Sequence, residues 1–327
     1  MTQQTFTDIE YANRRKRTKR EEFLDMMDAV IEWRRWVDII RPHYPKGERG
    51  RPPKEIEIML RMFLLQCWYT LSDEGVEESI NDSYAMRKFM GMDFMTEQVP
   101  DSTTLLHFRH LLEEHDLTKK LFEEINRMLS EKGLMMRGGT IADATVIAAS
   151  GSTKNEAGKR DPEMGSTRKG SQYYFGMKAH VGVDAGSGAV HSLEAESASV
   201  HEVTIAHKLI REDDDVFYGD AAHLGLEKRV EIMGDEHKSK IDYRINRKRG
   251  ELRKMPDSPG KEWELYIESR KSSVRSKVEY VFHIVKDIFK YRKVAYKGIK
   301  KNKARLYMLF GCANLYMFAK AGRLSVA

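Results

Sequence analysis

The chain has 327 residues, 41% of them hydrophobic, and a formal net charge of +6; this is enough apolar material for one large core or two, and it excludes a disordered or fibrous chain. No apolar run approaches the length of a membrane span and no hydrophobic stretch follows the basic N-terminus, so the reading is a cytoplasmic protein. The total hides an asymmetry: residues 270–327 hold fifteen Lys and Arg against two acids, a balance of +13, while the rest of the chain carries −7. Clustered cations of this kind call for a polyanionic partner. Cys67 and Cys312 lie far apart in apolar helical patterns and read as buried, reduced thiols.

Residues 1–20 form a basic arm ending in RRKRTKR, where Arg14, Arg15 and Arg17 are candidates for phosphate contact. Residues 21–134 read as an all-α domain, with helices over Phe23–Ile40, Lys54–Leu71, Asp73–Asn81, Tyr84–Met90, Ser102–Glu114 and Leu117–Ser130, punctuated by Pro and Gly. Within it, the segment around DSTTLLHFRHLL could present a helix-turn-helix surface through Thr103, Thr104, His107, Arg109 and His110. A plain packed bundle explains the same pattern. Trp33, Trp36 and Trp68, at helical spacing, are core candidates before they are base-stacking ones.

Residues 135–327 change period. TIADATVIAA, Thr140–Ala149, is a buried strand with Asp143 in its middle, and a carboxylate there costs several kcal/mol unless it is paired or bound to metal. A polar loop over residues 150–172 contains Lys169. Two antiparallel strands follow, Tyr173–Asp184 with Lys178 and His180, and Ala189–Ser199. His201–Arg211 is a helix, and the acidic run EDDD after it reads as a solvated turn. VFYG, Val216–Gly219, is a short buried strand with Asp220 at its exit, where open α/β sheets place their chemistry. A helix over Glu227–Met233, a strand over Lys238–Arg244 and a basic loop, residues 245–263, lead to the helix Arg270–Lys293. Lys300–Ala321 is a closing amphipathic helix.

In that penultimate helix, at about 100° per residue, Val278, Val281, Phe282, Val285, Ile288 and Phe289 form the core stripe. Arg275, Glu279 and Lys286 share one strip along its edge. The ordinary explanation of the first two is an i,i+4 ion pair worth about 0.3–0.5 kcal/mol. The spacing of Arg, three residues, Glu, six residues and Lys resembles the pattern around the third acid of bacterial insertion-sequence DDE transposases, with Ser272 where that pattern has Tyr. RDPEMGSTRKGSQYYFGMKAHVGVDAGSG, TIADATVI, GDAAHLG, YKGIKKN, PHYPKGERGRPP and MLRMFLLQCWYTLSD are similar to segments of the IS-five group of that family.

The resemblance implies an α/β fold, an RNase H-like mixed sheet flanked by helices, preceded by an all-α domain for DNA-end binding and assembly. It implies that Asp143, Asp220 and Glu279 converge as catalytic and metal-binding residues. Three such acids hold two Mg²⁺ ions, with Mn²⁺ as substitute. Arg275 and Lys286, with Lys169 and Lys178, would contact DNA phosphates. The partners implied are double-stranded DNA, as the element's inverted-repeat ends and its target, and a second copy of the chain. Two other readings stay open: a transposase-derived DNA-binding protein that no longer cuts, and an RNase H-like nuclease without strand transfer. His180 and His223, close to these elements, read as hydrogen-bonded structural residues.

Overall fold

A computed structural model describes residues 16–47, 52–94, 96–154 and 158–324. The N-terminal region is helical: α1 (Lys19–Val30), α2 (Trp33–Ile40), α3 (Ile56–Tyr69), α4 (Asp73–Asp82), α5 (Tyr84–Met90), α6 (Ser102–Glu114) and α7 (Leu117–Glu131). The helix expected over Phe23–Ile40 is two, parted where Ile31 and Glu32 leave helical geometry (ψ 123° and 74°). Local chemistry sets the starts of others: Ser72 Oγ accepts from Gly75 N (2.9 Å) ahead of α4, and Asp101 accepts from Thr104 N (2.7 Å) ahead of α6. Every residue of α3 from Ile58 to Trp68 is buried, as befits a helix that is apolar nearly all round.

The helix-turn-helix reading fails at Arg109. Thr103, His107 and His110 are exposed, but Arg109 is 6% exposed and turned inward. Its guanidinium donates to Asp73 Oδ2 (3.1 Å) and Gln66 Oε1 (3.2 Å) and covers the Tyr296 ring at 4.6 Å. The apolar neighbours Leu105, Phe108 and Leu112 draw that face of α6 into the core, and Arg109 goes with them. We expect Arg109→Ala to cost about 2–3 kcal/mol, by stranding Asp73 and Gln66, and to lower the urea midpoint accordingly. An unchanged midpoint would show the network to be dispensable. Trp36 and Trp68 are buried and Trp33 packs partly buried against the same core; both cysteines are free and buried.

The second half builds a six-stranded sheet from β1 (Thr140–Ala148), β2 (Gly165–Lys169), β3 (Gln172–Asp184), β4 (Val190–Ser197), β5 (Val216–Gly219) and β6 (Asp242–Ile245), in the order β2-β3-β1-β5-β6, with β4 also paired to β3. β3 is antiparallel to β1, β2 and β4, whereas β1, β5 and β6 run parallel. Strand β2 arises inside the stretch expected to be loop. Gly139, at φ 92°, lets β1 enter beside β5: a Cβ there would stand 2.5 Å from Val216 O.

The acidic run is also not a solvated turn throughout. Asp214 is fully buried, accepting from Arg211 N (2.8 Å), Arg211 Nη2 (2.9 Å) and the Thr140 hydroxyl. Complete hydrogen bonding is what makes a buried carboxylate tolerable. The bond to Thr140 ties the approach to β5 to the start of β1.

Short helices α8 (Glu202–Ile205) and α9 (Val230–Met233) belong to the connections around β5. The basic loop is partly helical, containing α10 (Arg249–Lys254) and the start of α11 (Pro259–Arg275), which Ser258 caps with Pro259 in its first turn. The expected helix Arg270–Lys293 is interrupted: α11 ends at Arg275, α12 runs Lys277–His283, and a π-helical turn spans Ile284–Ile288. Ser276 Oγ donates back to Ser273 O (2.7 Å) at the interruption, a local bond that competes with helix continuity.

The closing helix α13 (Ile299–Lys320) joins the two regions. One apolar cluster runs from Leu24 of α1 through α3, α7, β1 and β3 to Phe318 of α13. Gly311 of α13 admits Ile125 and Phe122 of α7; a Cβ there would meet Ile125 Cδ1 at 2.7 Å. Polar ties run alongside: Asn314 pairs both ways with the Val190 backbone (2.8 Å each) and donates to Asn126 Oδ1 (3.1 Å), while Arg305 donates to Gln66 O (2.9 Å). A smaller cluster, including Ala142, Leu209, Phe217 and Leu226, covers the other side of the sheet.

Candidate active site

β1 and β5 pair at Thr140 with Phe217 and Ile141 with Tyr218, and the last β5 residue is Gly219. Asp143 and Asp220 therefore stand just where the two parallel strands part, and hydrogen bonding no longer claims the space between them. α11 and α12 pass beside this opening. Together they enclose a cleft of ≈ 920 Å³ lined by Asp143, Asp220, Glu279, Arg275, Lys286 and Lys169. Six of the residues singled out in the sequence thus share one cavity, drawn from β1, β2, the exit of β5, α11, α12 and the π turn.

The three acids differ in setting. Burial pushes the Asp143 carboxyl up to about 6, against the pull of Arg275, and the charges of Asp220 and Glu202 add to the push. Burial also works against Asp220, but His223, the Ala222 amide and Arg275 outweigh it and hold that carboxyl below its ordinary value. His223 Nδ1 lies 3.0 Å from Asp220 Oδ1. Glu279 is exposed at the cleft wall.

Arg275 does not make the i,i+4 pair with Glu279 among the described residues. It reaches Asp143 Oδ2 at 3.4 Å and donates to Asn246 Oδ1 at 3.0 Å, and its buried Nε has no partner among the described residues. An orphaned guanidinium donor in a cleft suits a phosphate oxygen. Burial and the neighbouring Lys169 and Arg292 lower the proton affinity of Lys286, so added negative charge beside it is favoured. The acids supply hard oxygen donors, the chemistry of Mg²⁺ and Mn²⁺ sites.

Other expected contacts lie elsewhere. Lys178 is absent from the cleft lining: it donates to Val200 O (3.0 Å) and pairs with Glu202 (3.4 Å). Arg14 and Arg15 lie outside the described residues. Arg17 pairs with Glu21 (3.6 Å) and Asp25 of α1. His180 and His223 are both buried.

Sequence reasoning missed Arg292 and Glu202 and did not separate Asn246, Arg247 and Arg249 from their loop; all but Glu202 line the cleft. Glu268, a further acid on the lining, is committed to structure: it accepts from Asn246 Nδ2 (2.7 Å), Arg247 N (3.0 Å) and Lys271 Nζ (2.8 Å). It fixes Asn246, which in turn holds Arg275. Nothing in the spacing of these residues signals the arrangement, since β6 and α11 are brought together only by the sheet.

An RNase H-like α/β fold, with acids where its central strands part and cations around them, defines a class of protein built to act on nucleic acid. Residues 135–315 match the family model described as Transposase DDE domain, and residues 12–111 match that described as Transposase domain (DUF772). The first match spans more than half of the chain, and the chain belongs to that family, the DDE transposases of insertion sequences. Membership of the IS-five group is compatible with both matches. No solved structure matches the chain. No helix among the described residues is long and apolar enough to cross a membrane.

Proposed function

We propose that this transposase binds the inverted-repeat ends of an insertion sequence and carries out divalent-metal-dependent strand cleavage and strand transfer in the cleft. The observation behind this reading is the meeting of Asp143, Asp220 and Glu279 in one cavity with Arg275, Lys286 and Lys169. Asp143, Asp220 and Glu279 would hold the Mg²⁺ or Mn²⁺ ions. A pair of such ions held there would supply activation of a water or 3′-hydroxyl and stabilisation of the departing 3′-oxygen. Arg275, fixed by Asn246, grips the phosphate through its fork, and Lys286 acts as a point charge beside it. The pairing of Arg275 with Asp143 keeps the half-buried carboxylate partly neutralised until the cleft is filled.

In this proposal residues 1–20 are a basic arm, residues 21–134 bind the ends and support assembly, and residues 135–327 catalyse. Two DNA ends call for two copies of the chain. The test is incubation of purified protein with labelled element ends and target plasmid in Mg²⁺, in EDTA, and with Glu279→Ala. Metal-dependent nicks and joined products that vanish in the variant support the proposal. Retarded complexes with no cleavage would instead indicate a binding protein, and cleavage without joining a nuclease.

Lys286→Ala should slow cleavage by roughly 10- to 100-fold, a loss of about 1.4–2.7 kcal/mol, through poorer phosphate placement. Calorimetric Mg²⁺ affinity should remain. Loss of that affinity would assign Lys286 to the metal site instead.

A further inference from the structure

The tightest group of metal-capable side chains among the described residues is not the cleft's three acids. It is Glu202, opening α8, with Asp220 and His223: one ligand atom of each lies within 4.8 Å of the others. Asp220 belongs both to this group and to the cleft, whereas Glu202 and His223 do not line the cleft. The His223 Nδ1 to Asp220 Oδ1 separation of 3.0 Å also matches the spacing of neighbouring ligands on one ion, about 3 Å for an octahedral ion with bonds of about 2.1 Å. Lys178 meets Glu202 through one carboxylate oxygen, Oε1.

A second, independent feature points to a ligand. His180 stands two residues from Lys178 on β3 and so on the same face of the sheet. It is 1% exposed, and its Nε2 has no hydrogen-bond partner among the described residues. Lys178, on that face, reaches Glu202 of the cluster, and besides burial Lys178 and His223 are the groups that depress the proton affinity of His180. A buried polar nitrogen left unpaired is unfavourable. A water held in the shell of a cation would meet that need.

We propose that Glu202, Asp220 and His223 form a divalent-cation site adjoining the cleft, with His180 Nε2 accepting from a water of the ion's shell. The ion takes the place of the hydrogen bond between His223 Nδ1 and Asp220 Oδ1, and the proton of that bond passes to solvent. One imidazole and two carboxylates make a mixed nitrogen and oxygen set, which takes Mn²⁺ or Zn²⁺ in preference to Mg²⁺. This site goes beyond the cleavage reading and shares only Asp220 with it.

The test uses the full chain without DNA, titrated with Mn²⁺ and followed by electron paramagnetic resonance, with pulsed detection of ¹⁴N coupling to the bound ion. Wild type should show imidazole nitrogen coupling, and His223→Gln should lose it. Glu202→Gln should weaken that class of bound Mn²⁺ by roughly 10- to 100-fold, the range that even outer partners of metal ligands command. Melting curves establish that the variants are folded; since His223 is buried, Glu202→Gln decides the matter if His223→Gln is not. Absence of nitrogen coupling in wild type, its persistence in folded His223→Gln, or unchanged Mn²⁺ affinity in Glu202→Gln each overturns the site. Failure of the cleavage reading would show separately, as cleavage that survives Asp143→Ala.

Discussion

Asp143→Ala, Asp220→Ala and Glu279→Ala are each expected to reduce strand cleavage by about 10³-fold or more while leaving binding to element ends largely intact. Loss of a metal-holding carboxylate removes several kcal/mol of charge stabilisation from the reaction, and every 1.36 kcal/mol is tenfold in rate. On the proposed function, end binding would rest on many phosphate contacts spread over the basic surfaces, so one acid in the cleft should contribute little to it. Gel retardation and a cleavage assay on the same preparations separate the two. Cleavage at the wild-type rate in any one variant would remove that residue from the site. The three variants need not fold equally well: Asp143 is half-buried within β1, whereas Glu279 is exposed on α12 and its removal should be structurally neutral.

The second large effect runs the other way. Metal-free Asp143→Asn should be more stable than the parent protein above pH 6. The folded protein keeps the Asp143 proton up to about 6, because burial disfavours the charge, whereas an unfolded chain releases it near 4. The folded state thus binds more protons between those values, and stability falls as pH rises through that window. At pH 7 the difference corresponds to up to about 3 kcal/mol. The amide keeps the side chain's shape without the charge. Urea melts at pH 4.5 and 7.5 should show a gap at the higher pH that is much smaller at the lower one. No gap, or the same gap at both, would mean that Asp143 carries its charge at no cost. A site that weakens its own fold in this way is typical of residues kept for function.

Much of this was legible in the chain itself. The apolar β-branched run around Asp143, the short strand before Asp220 and the strip of Arg275, Glu279 and Lys286 each announce a residue placed where packing alone would not put it. What was not legible arises from tertiary structure. Arg109 looks exposed by type and is buried because Asp73 and Gln66 await it. Asp214 looks like part of a solvated acidic turn and is buried because Thr140 and Arg211 satisfy it. Lys178 is drawn off by Glu202, a partner 24 residues away that no local pattern connects to it. The interruption at Ser276 depends on a side-chain bond that competes narrowly with the helical one.

The continuous core through α13 bears on how such a protein can change over generations. Its last helix fills the interval between the sheet and the first helices, and Arg305, Asn314 and Gly311 are each matched to atoms on the far side. The helical region proposed to meet an element's ends is consequently not an interchangeable head. A gene exchange that replaced residues 21–134 alone would set foreign side chains against Gly311 and take from Asn314 its partner Asn126. New end specificity should therefore come by substitution on the outer faces of α1, α2 and α6, while the seam with α13 is inherited whole.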